Sequence, residues 1–150
     1  LIYRRDDLEA ALQALPKADQ ELLKRVGARI EAFAEAQKAS LSLMTMDIPG
    51  GQAGHRVDPV EKAACYAPGG RFPLPSTVLM TAVTARVAGV SEIWVLSPKP
   101  TPVTLAAAAV AGADGQRDQQ ATRRRAGGAE QASRLAVRPS RTARAGSQTR

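Results

Sequence analysis

Glu92-Ile93-Trp94-Val95-Leu96-Ser97 is the stretch on which the fold turns. Ile93 to Leu96 is an unbroken apolar run bounded by Glu92 and by Ser97-Pro98, the pattern of a parallel strand covered on both faces. Upstream, Ser76 is placed as the N-cap of a helix through Val78, Leu79, Ala82, Val83, Ala85, Arg86 and Val87. Gly89 falls just past the last periodic residue, where a left-handed C-cap is expected. Downstream, Pro98 to Pro102 end the strand, Thr104 is read as the cap of a short alanine-rich helix through Ala111, and Gly112 closes it. Helix, strand and helix in that order predict an α/β fold, an incomplete doubly wound (Rossmann-like) unit.

Moving toward the N-terminus, Ala67-Pro68-Gly69-Gly70-Arg71-Phe72-Pro73-Leu74-Pro75 is too rich in Pro and Gly for a regular element and reads as a loop. Ala63 to Tyr66 and Gly54 to Val57 are short extended candidates, and Ile48-Pro49-Gly50-Gly51 is a turn. Before it, Leu22, Leu23, Val26, Ile30 and Phe33 recur at three- and four-residue steps from Asp19 to about Lys38, predicting an amphipathic helix with one buried stripe and a solvated charged face. An earlier helix through Leu8, Ala11, Leu12 and Leu15, capped by Asp6 or Asp7, is bounded by Pro16. The expected organisation is a helical segment over 1–47, a partial Rossmann-like domain over 48–114, and a tail over 115–150.

That tail holds all the net charge. The 150 residues carry +7, yet residues 1–114 have twelve basic and twelve acidic side chains, whereas residues 115–150 have nine arginines against Asp118 and Glu130. Leu135 and Val137 are the only large apolar residues among those 36. Such a stretch cannot bury enough surface to offset its ordering entropy, so it is expected to be a disordered basic tail. Its dominance by Arg, Ala, Gly, Ser, Gln, Thr and Pro suggests a shifted reading frame of a GC-rich coding region, and the turn-like Gly127-Gly128-Ala129-Glu130-Gln131-Ala132, with no strand before it and Arg123-Arg124-Arg125 beside it, is set aside as coincidence. Nine arginines would draw nucleic acid or another polyanion, but no aromatic residue accompanies them to stack on bases, so binding would be nonspecific.

A single cysteine, Cys65, forms no internal disulfide, and with His55 alone it builds no metal site. Its neighbours Ala63, Ala64 and Tyr66 offer no positive charge to lower the thiol pKa, so Cys65 is expected to be a small buried residue. A reducing, cytoplasmic setting is expected, with no membrane segment, since no apolar run approaches the roughly 20 residues a span requires. The chain begins at Leu1 rather than Met, which leads to the expectation of residues removed upstream.

Three long segments carry a resemblance: Pro49-Gly50-Gly51-Gln52-Ala53-Gly54-His55-Arg56-Val57-Asp58-Pro59-Val60, Cys65-Tyr66-Ala67-Pro68-Gly69-Gly70-Arg71-Phe72-Pro73-Leu74-Pro75-Ser76-Thr77-Val78-Leu79-Met80, and Ala85-Arg86-Val87-Ala88-Gly89-Val90. Over residues of about 8–114 the chain resembles histidinol dehydrogenase, with residues 115–150 outside the likeness. Arg29 to Gln37 is similar to the family's helix end but departs at Ala34, where the family usually has histidine. The resemblance implies a homodimer that uses NAD and zinc to oxidise L-histidinol to L-histidine in histidine biosynthesis.

By the same resemblance, the family's Glu-His acid-base pair and its zinc-binding histidines, aspartate and glutamine lie beyond the matched stretch. No catalytic and no metal residue is therefore assigned, and the chain is expected to be inactive alone. One cofactor residue carries over: Tyr66 falls where the family places a tyrosine that contacts NAD. The plainer alternative is that Tyr66 packs against the following helix. Gly69 and Gly70 likewise either bring backbone close to a ligand or answer to left-handed turn dihedrals.

Overall fold

The computed structural model describes residues 1–69 and 72–119. Ten elements follow in order: β1 (Ile2–Arg4), α1 (Arg5–Gln13), α2 (Lys17–Ala39), β2 (Met44–Ile48), β3 (Gly51–His55), β4 (Lys62–Tyr66), α3 (Pro75–Ala88), β5 (Glu92–Ser97), α4 (Pro102–Val110) and β6 (Gly115–Asp118). They build a four-stranded sheet of order β1-β6-β5-β4 and a separate β2-β3 ribbon. Strands β4, β5 and β6 are parallel, and β1 closes the edge antiparallel to β6. This is the α/β, incompletely doubly wound unit that the order of helix and strand signals predicts.

The crossovers β4-α3-β5 and β5-α4-β6 step in one direction, so right-handed connections lay α3 and α4 on the same sheet face. Burial agrees with that. In β5 it alternates, with Ile93, Val95 and Ser97 buried and Glu92, Trp94 and Leu96 only partly covered. Ile93 to Leu96 is therefore not covered on both faces, as its apolar run suggested: among the described residues, helices wall one face only. On that face Leu8, Leu12 and Leu23 from the helical segment 1–47 join Val78, Leu79, Ile93, Val95 and Ala106 to Ala108 in one core.

Helix α2 crosses the layer at Gly27, where an added Cβ would stand 3.1 Å from Val110. Its buried stripe is Leu23, Gly27 and Ala34, with Val26 and Ile30 partly buried. Leu22 and Phe33, assigned to the stripe from their spacing, are 47% and 67% exposed. The small residues face inward because close helix approach rewards absent side chains.

The caps also shift from the sequence reading. Leu74, not Ser76, caps α3, and Thr101, not Thr104, caps α4, each followed by a proline whose fixed φ and missing N–H suit the first helical position. Arg4 caps α1, and its backbone N–H donates to the Asp7 carboxylate at 2.7 Å, so Asp7 serves from the third helical position. Gly89 takes the expected left-handed conformation, at φ 98°.

Three strands, β1, β2 and β6, are absent from the sequence reading. Strand β2 pairs with β3 across Pro49-Gly50, where Gly50 has φ 91°, the turn geometry that a Pro-Gly pair favours. The extended segment predicted over Gly54 to Val57 accordingly lies earlier, at Gly51–His55. Strand β6 corrects the expectation of disorder from Gly115: the first four residues of that stretch are ordered strand. Their side chains contribute little apolar surface, but β6 bonds to β5 on one side and β1 on the other, and the Asp118 N–H donates to the Leu1 carbonyl at 3.0 Å. Asp114 sets the start of β6, with its N–H donating to the Ile93 carbonyl, its carboxylate accepting the Ile93 N–H, and Arg5 donating to its other oxygen, all at 2.8 Å. The remainder of the expected tail, 120–150, lies outside the described residues.

Candidate functional site at the carboxyl ends of the parallel strands

Ligands of open α/β sheets bind outside the carboxyl ends of the strands, where connecting loops and helix N-termini converge. Here that edge is made by Tyr66 at the end of β4, Ser97 at the end of β5 and Asp118 at the end of β6, with α3 and α4 starting beside it. The Ala67 N–H donates to the Leu96 carbonyl at 2.9 Å, so the β4-α3 loop leaves the sheet along β5. Gly69 then meets the β5-α4 loop: a Cβ there would lie 2.3 Å from the Pro98 carbonyl oxygen. This contact between loops, and not a left-handed dihedral, is what demands glycine, since Gly69 is not among the residues of positive φ. Gly70 and Arg71 lie outside the described residues.

Tyr66 is half exposed, at 50%, and lies outside the core cluster. Cys65, its neighbour, is buried on the helix side, so Tyr66 points to the opposite face of the strand. The alternative in which Tyr66 packs against α3 does not hold. Cys65 itself is 7% exposed, and burial pushes its thiol pKa up against a weaker lowering by a hydrogen bond with Thr81. A thiol so placed stays protonated near neutrality and is a poor nucleophile.

The sequence reading missed Lys99 and Asp118. Lys99 adopts φ 48°, uncommon for a residue with a side chain, and its N–H donates to the Asp118 carboxylate at 3.2 Å. Its exposed ammonium stands at the edge beside the first turn of α4, where Thr101 and Thr104 share a hydroxyl hydrogen bond of 2.9 Å. The only hint in the sequence was a lysine between two prolines. Together the described residues of the edge offer an aromatic face, a cation and backbone N–H groups, which suits an anionic, planar ligand. Among the described residues it holds no paired nucleophile and base. Among the described residues no three His, Cys, Asp or Glu side chains come together to hold a metal. His55 lies on the ribbon, its Nε2 3.1 Å from the Ser42 carbonyl.

A groove of about 680 Å³ lies elsewhere, between the ends of α2 and α3 and the foot of the ribbon. Its charged groups are already engaged: Lys38 donates to the Val87 carbonyl at 2.7 Å, and Asp58 pairs with Arg56 at 2.6 Å. Ala34 and Leu41 add apolar wall. Size alone does not outweigh the converging groups at the strand edge. No helix among the described residues is long and apolar enough to cross a membrane.

Comparison with known proteins bears on most of the chain. A histidinol dehydrogenase family profile matches residues 1–136, running past Asp114, where the sequence reading ended the likeness, and taking in Gly127-Gly128-Ala129. Histidinol dehydrogenase from Methanosarcina barkeri is 43% identical over 114 residues, covering 73% of this chain and 26% of the relative. That from Bordetella parapertussis is 38% identical over 112 residues, covering 72% and 25%. The crystal structure of histidinol dehydrogenase from Elizabethkingia anophelis superposes with a TM-score of 0.64 at 25% identity, covering 75% of this chain and 27% of that one. The chain spans about a quarter of the length of these relatives. With a profile match over most of its length and the same arrangement of strands and helices, the chain belongs to the histidinol dehydrogenase family.

Proposed function

We propose that this chain is the cofactor-facing part of an NAD- and zinc-dependent dehydrogenase that oxidises L-histidinol to L-histidine, and that by itself it is inactive. The observation that carries the reading is Tyr66, half exposed at the carboxyl end of a parallel strand and beside a Pro-Gly loop, in a chain of this family. NAD, when bound, supplies the hydride acceptor. The residues in hand bind and orient: the Tyr66 ring gives a contact surface, Gly69 lets the loop close onto Pro98, and Lys99 adds positive potential. Proton removal from an alcohol needs a base tuned near neutrality, which the described residues of the edge do not supply. The described residues do not form the four-ligand set zinc requires, so no step is assigned to it here. The homodimer and the cytoplasmic setting belong to the same reading.

The test is NAD titration of the purified chain, followed by histidinol-dependent NADH formation with added zinc beside an intact relative. Measurable NAD binding, weakened about 3- to 10-fold by Tyr66→Ala, is expected without turnover. Turnover by the chain alone would overturn the inactive reading, and binding indifferent to Tyr66 would overturn its role. The competing reading, nonspecific polyanion binding by the arginine-rich tail, rests on charge alone.

A further inference from the structure

The three parallel strands lie side by side in the order β6-β5-β4, the reverse of their order in the chain. That is the arrangement of one half of a dinucleotide-binding fold, with β4 as its first strand and β5 as its second. In such a half the glycine loop follows the first strand, as the loop through Gly69 does here. The end of the second strand then approaches the adenosine ribose. A carboxylate at that point accepts from the 2′-hydroxyl and repels a 2′-phosphate, whereas a cation accommodates the phosphate.

Here the second strand ends in Ser97-Pro98-Lys99-Pro100-Thr101, with a lysine and no carboxylate. Lys99 is exposed, and among the described residues its ammonium has no ion-pair partner. Its backbone is nonetheless firmly set. Pro98 and Pro100 flank it, its φ is 48°, and its N–H donates at 3.2 Å to Asp118, a carboxylate only 9% exposed at the end of β6. Asp118 therefore anchors the loop from within the sheet edge, while the charge turned to solvent beside the first turn of α4 is positive. The amino end of that helix adds potential of the same sign.

We propose that Lys99 reads the adenosine ribose of the bound dinucleotide and that this edge takes a phosphate on its 2′-oxygen, so that the chain binds NADP more tightly than NAD. The ammonium would give the 2′-phosphate charge-assisted hydrogen bonds that a 2′-hydroxyl cannot match. Asp118 is a positioning residue in this account, acting through the Lys99 backbone. The inference rests on the cofactor reading above and adds to it which nucleotide the edge selects.

The experiment is calorimetric titration of the full chain with NAD and with NADP, in the native protein and in Lys99→Gln, Lys99→Glu, Asp118→Asn and Tyr66→Ala. The native chain is expected to bind NADP about 3- to 5-fold more tightly, the worth of one exposed ion pair. Lys99→Gln should bring the two affinities level with NAD binding nearly unchanged, and Lys99→Glu should put NADP below NAD. Added salt should shrink the native preference, while Tyr66→Ala should weaken both nucleotides alike. NAD binding that depends on Tyr66, with NADP no tighter or with a preference that survives Lys99→Gln, would overturn the proposal and leave the cofactor reading standing. A preference for NAD that disappears in Asp118→Asn would overturn it in favour of the carboxylate as the ribose acceptor. Binding of neither nucleotide would overturn both readings together.

Discussion

Gly69 rests against Pro98 so closely that a methyl group on its Cα would lie 2.3 Å from the Pro98 carbonyl oxygen and 2.6 Å from its Cγ. Both partners sit in loops at the carboxyl ends of adjacent strands, β4 and β5, so the contact sets the spacing of the candidate site. Gly69→Ala is expected to push the loops apart, costing about 1–3 kcal/mol as other overpacked contacts do, and to weaken NAD binding more than it lowers the melting temperature. Calorimetric titration beside a thermal melt checks this, and unchanged binding would mean the loop spacing is irrelevant to the ligand.

Gln116 is fully buried beside Val95, and among the described residues neither its amide oxygen nor its amide nitrogen has a hydrogen-bond partner. An orphaned buried polar group costs about 1–3 kcal/mol, so Gln116→Met, similar in shape without the amide, should raise stability by about that amount. Urea unfolding measures it. A loss of stability would show that the amide is satisfied after all.

Asp114 ties three elements together through Arg5 and the backbone of Ile93. Asp114→Ala strands the part-buried Ile93 N–H and should cost about 1–3 kcal/mol, whereas Asp114→Asn, which keeps an acceptor, should cost less. The exposed Arg5 pair contributes at most a minor share, so Arg5→Ala should change the urea midpoint little.

Burial raises the Cys65 thiol pKa above its ordinary value of 9.0. With the folded value above the unfolded one, the stabilising contribution is complete below about pH 9 and is lost as pH rises from there through the folded value. Stability should therefore fall more steeply above pH 9 in the native chain than in Cys65→Ala, read by urea midpoints across that range. Native protein near neutrality should also react slowly with a thiol reagent.

Truncation separates the ordered strand from the basic stretch behind it. A chain ending at Gln119 keeps β6 and should remain folded, while one ending at Asp114 leaves β5 with a bare edge and β1 without a partner, and should unfold or aggregate. If nucleic acid binds, removing residues 120–150 should abolish the binding, and in the intact chain it should weaken steeply with salt. Persistence in the truncated chain would place the affinity on the folded part.

Helix α3, strand β5 and helix α4 were legible because their signals are local: Pro and Gly at the ends, and a four-residue apolar run whose length suits a strand. Tyr66 was singled out only through resemblance, as nothing in its neighbours marks it. Lys99 and Asp118 were invisible because they lie 19 residues apart in the sequence and meet only when β5 and β6 pair. Strand β6 was missed because Gly115-Gln116-Arg117-Asp118 lacks apolar side chains, and its order comes from two flanking strands.

Read alone, the sequence determined the α/β class, the order of its central elements, their glycine stops and the family. Each of these depends on neighbours a few residues away or on a long motif. Only the tertiary structure decided that Gly69 answers to Pro98, that Trp94 lies across Gly115, and that the helices among the described residues wall one face of the sheet. Those are contacts between segments distant in the chain, set by strand register and crossover hand, and no local preference encodes them.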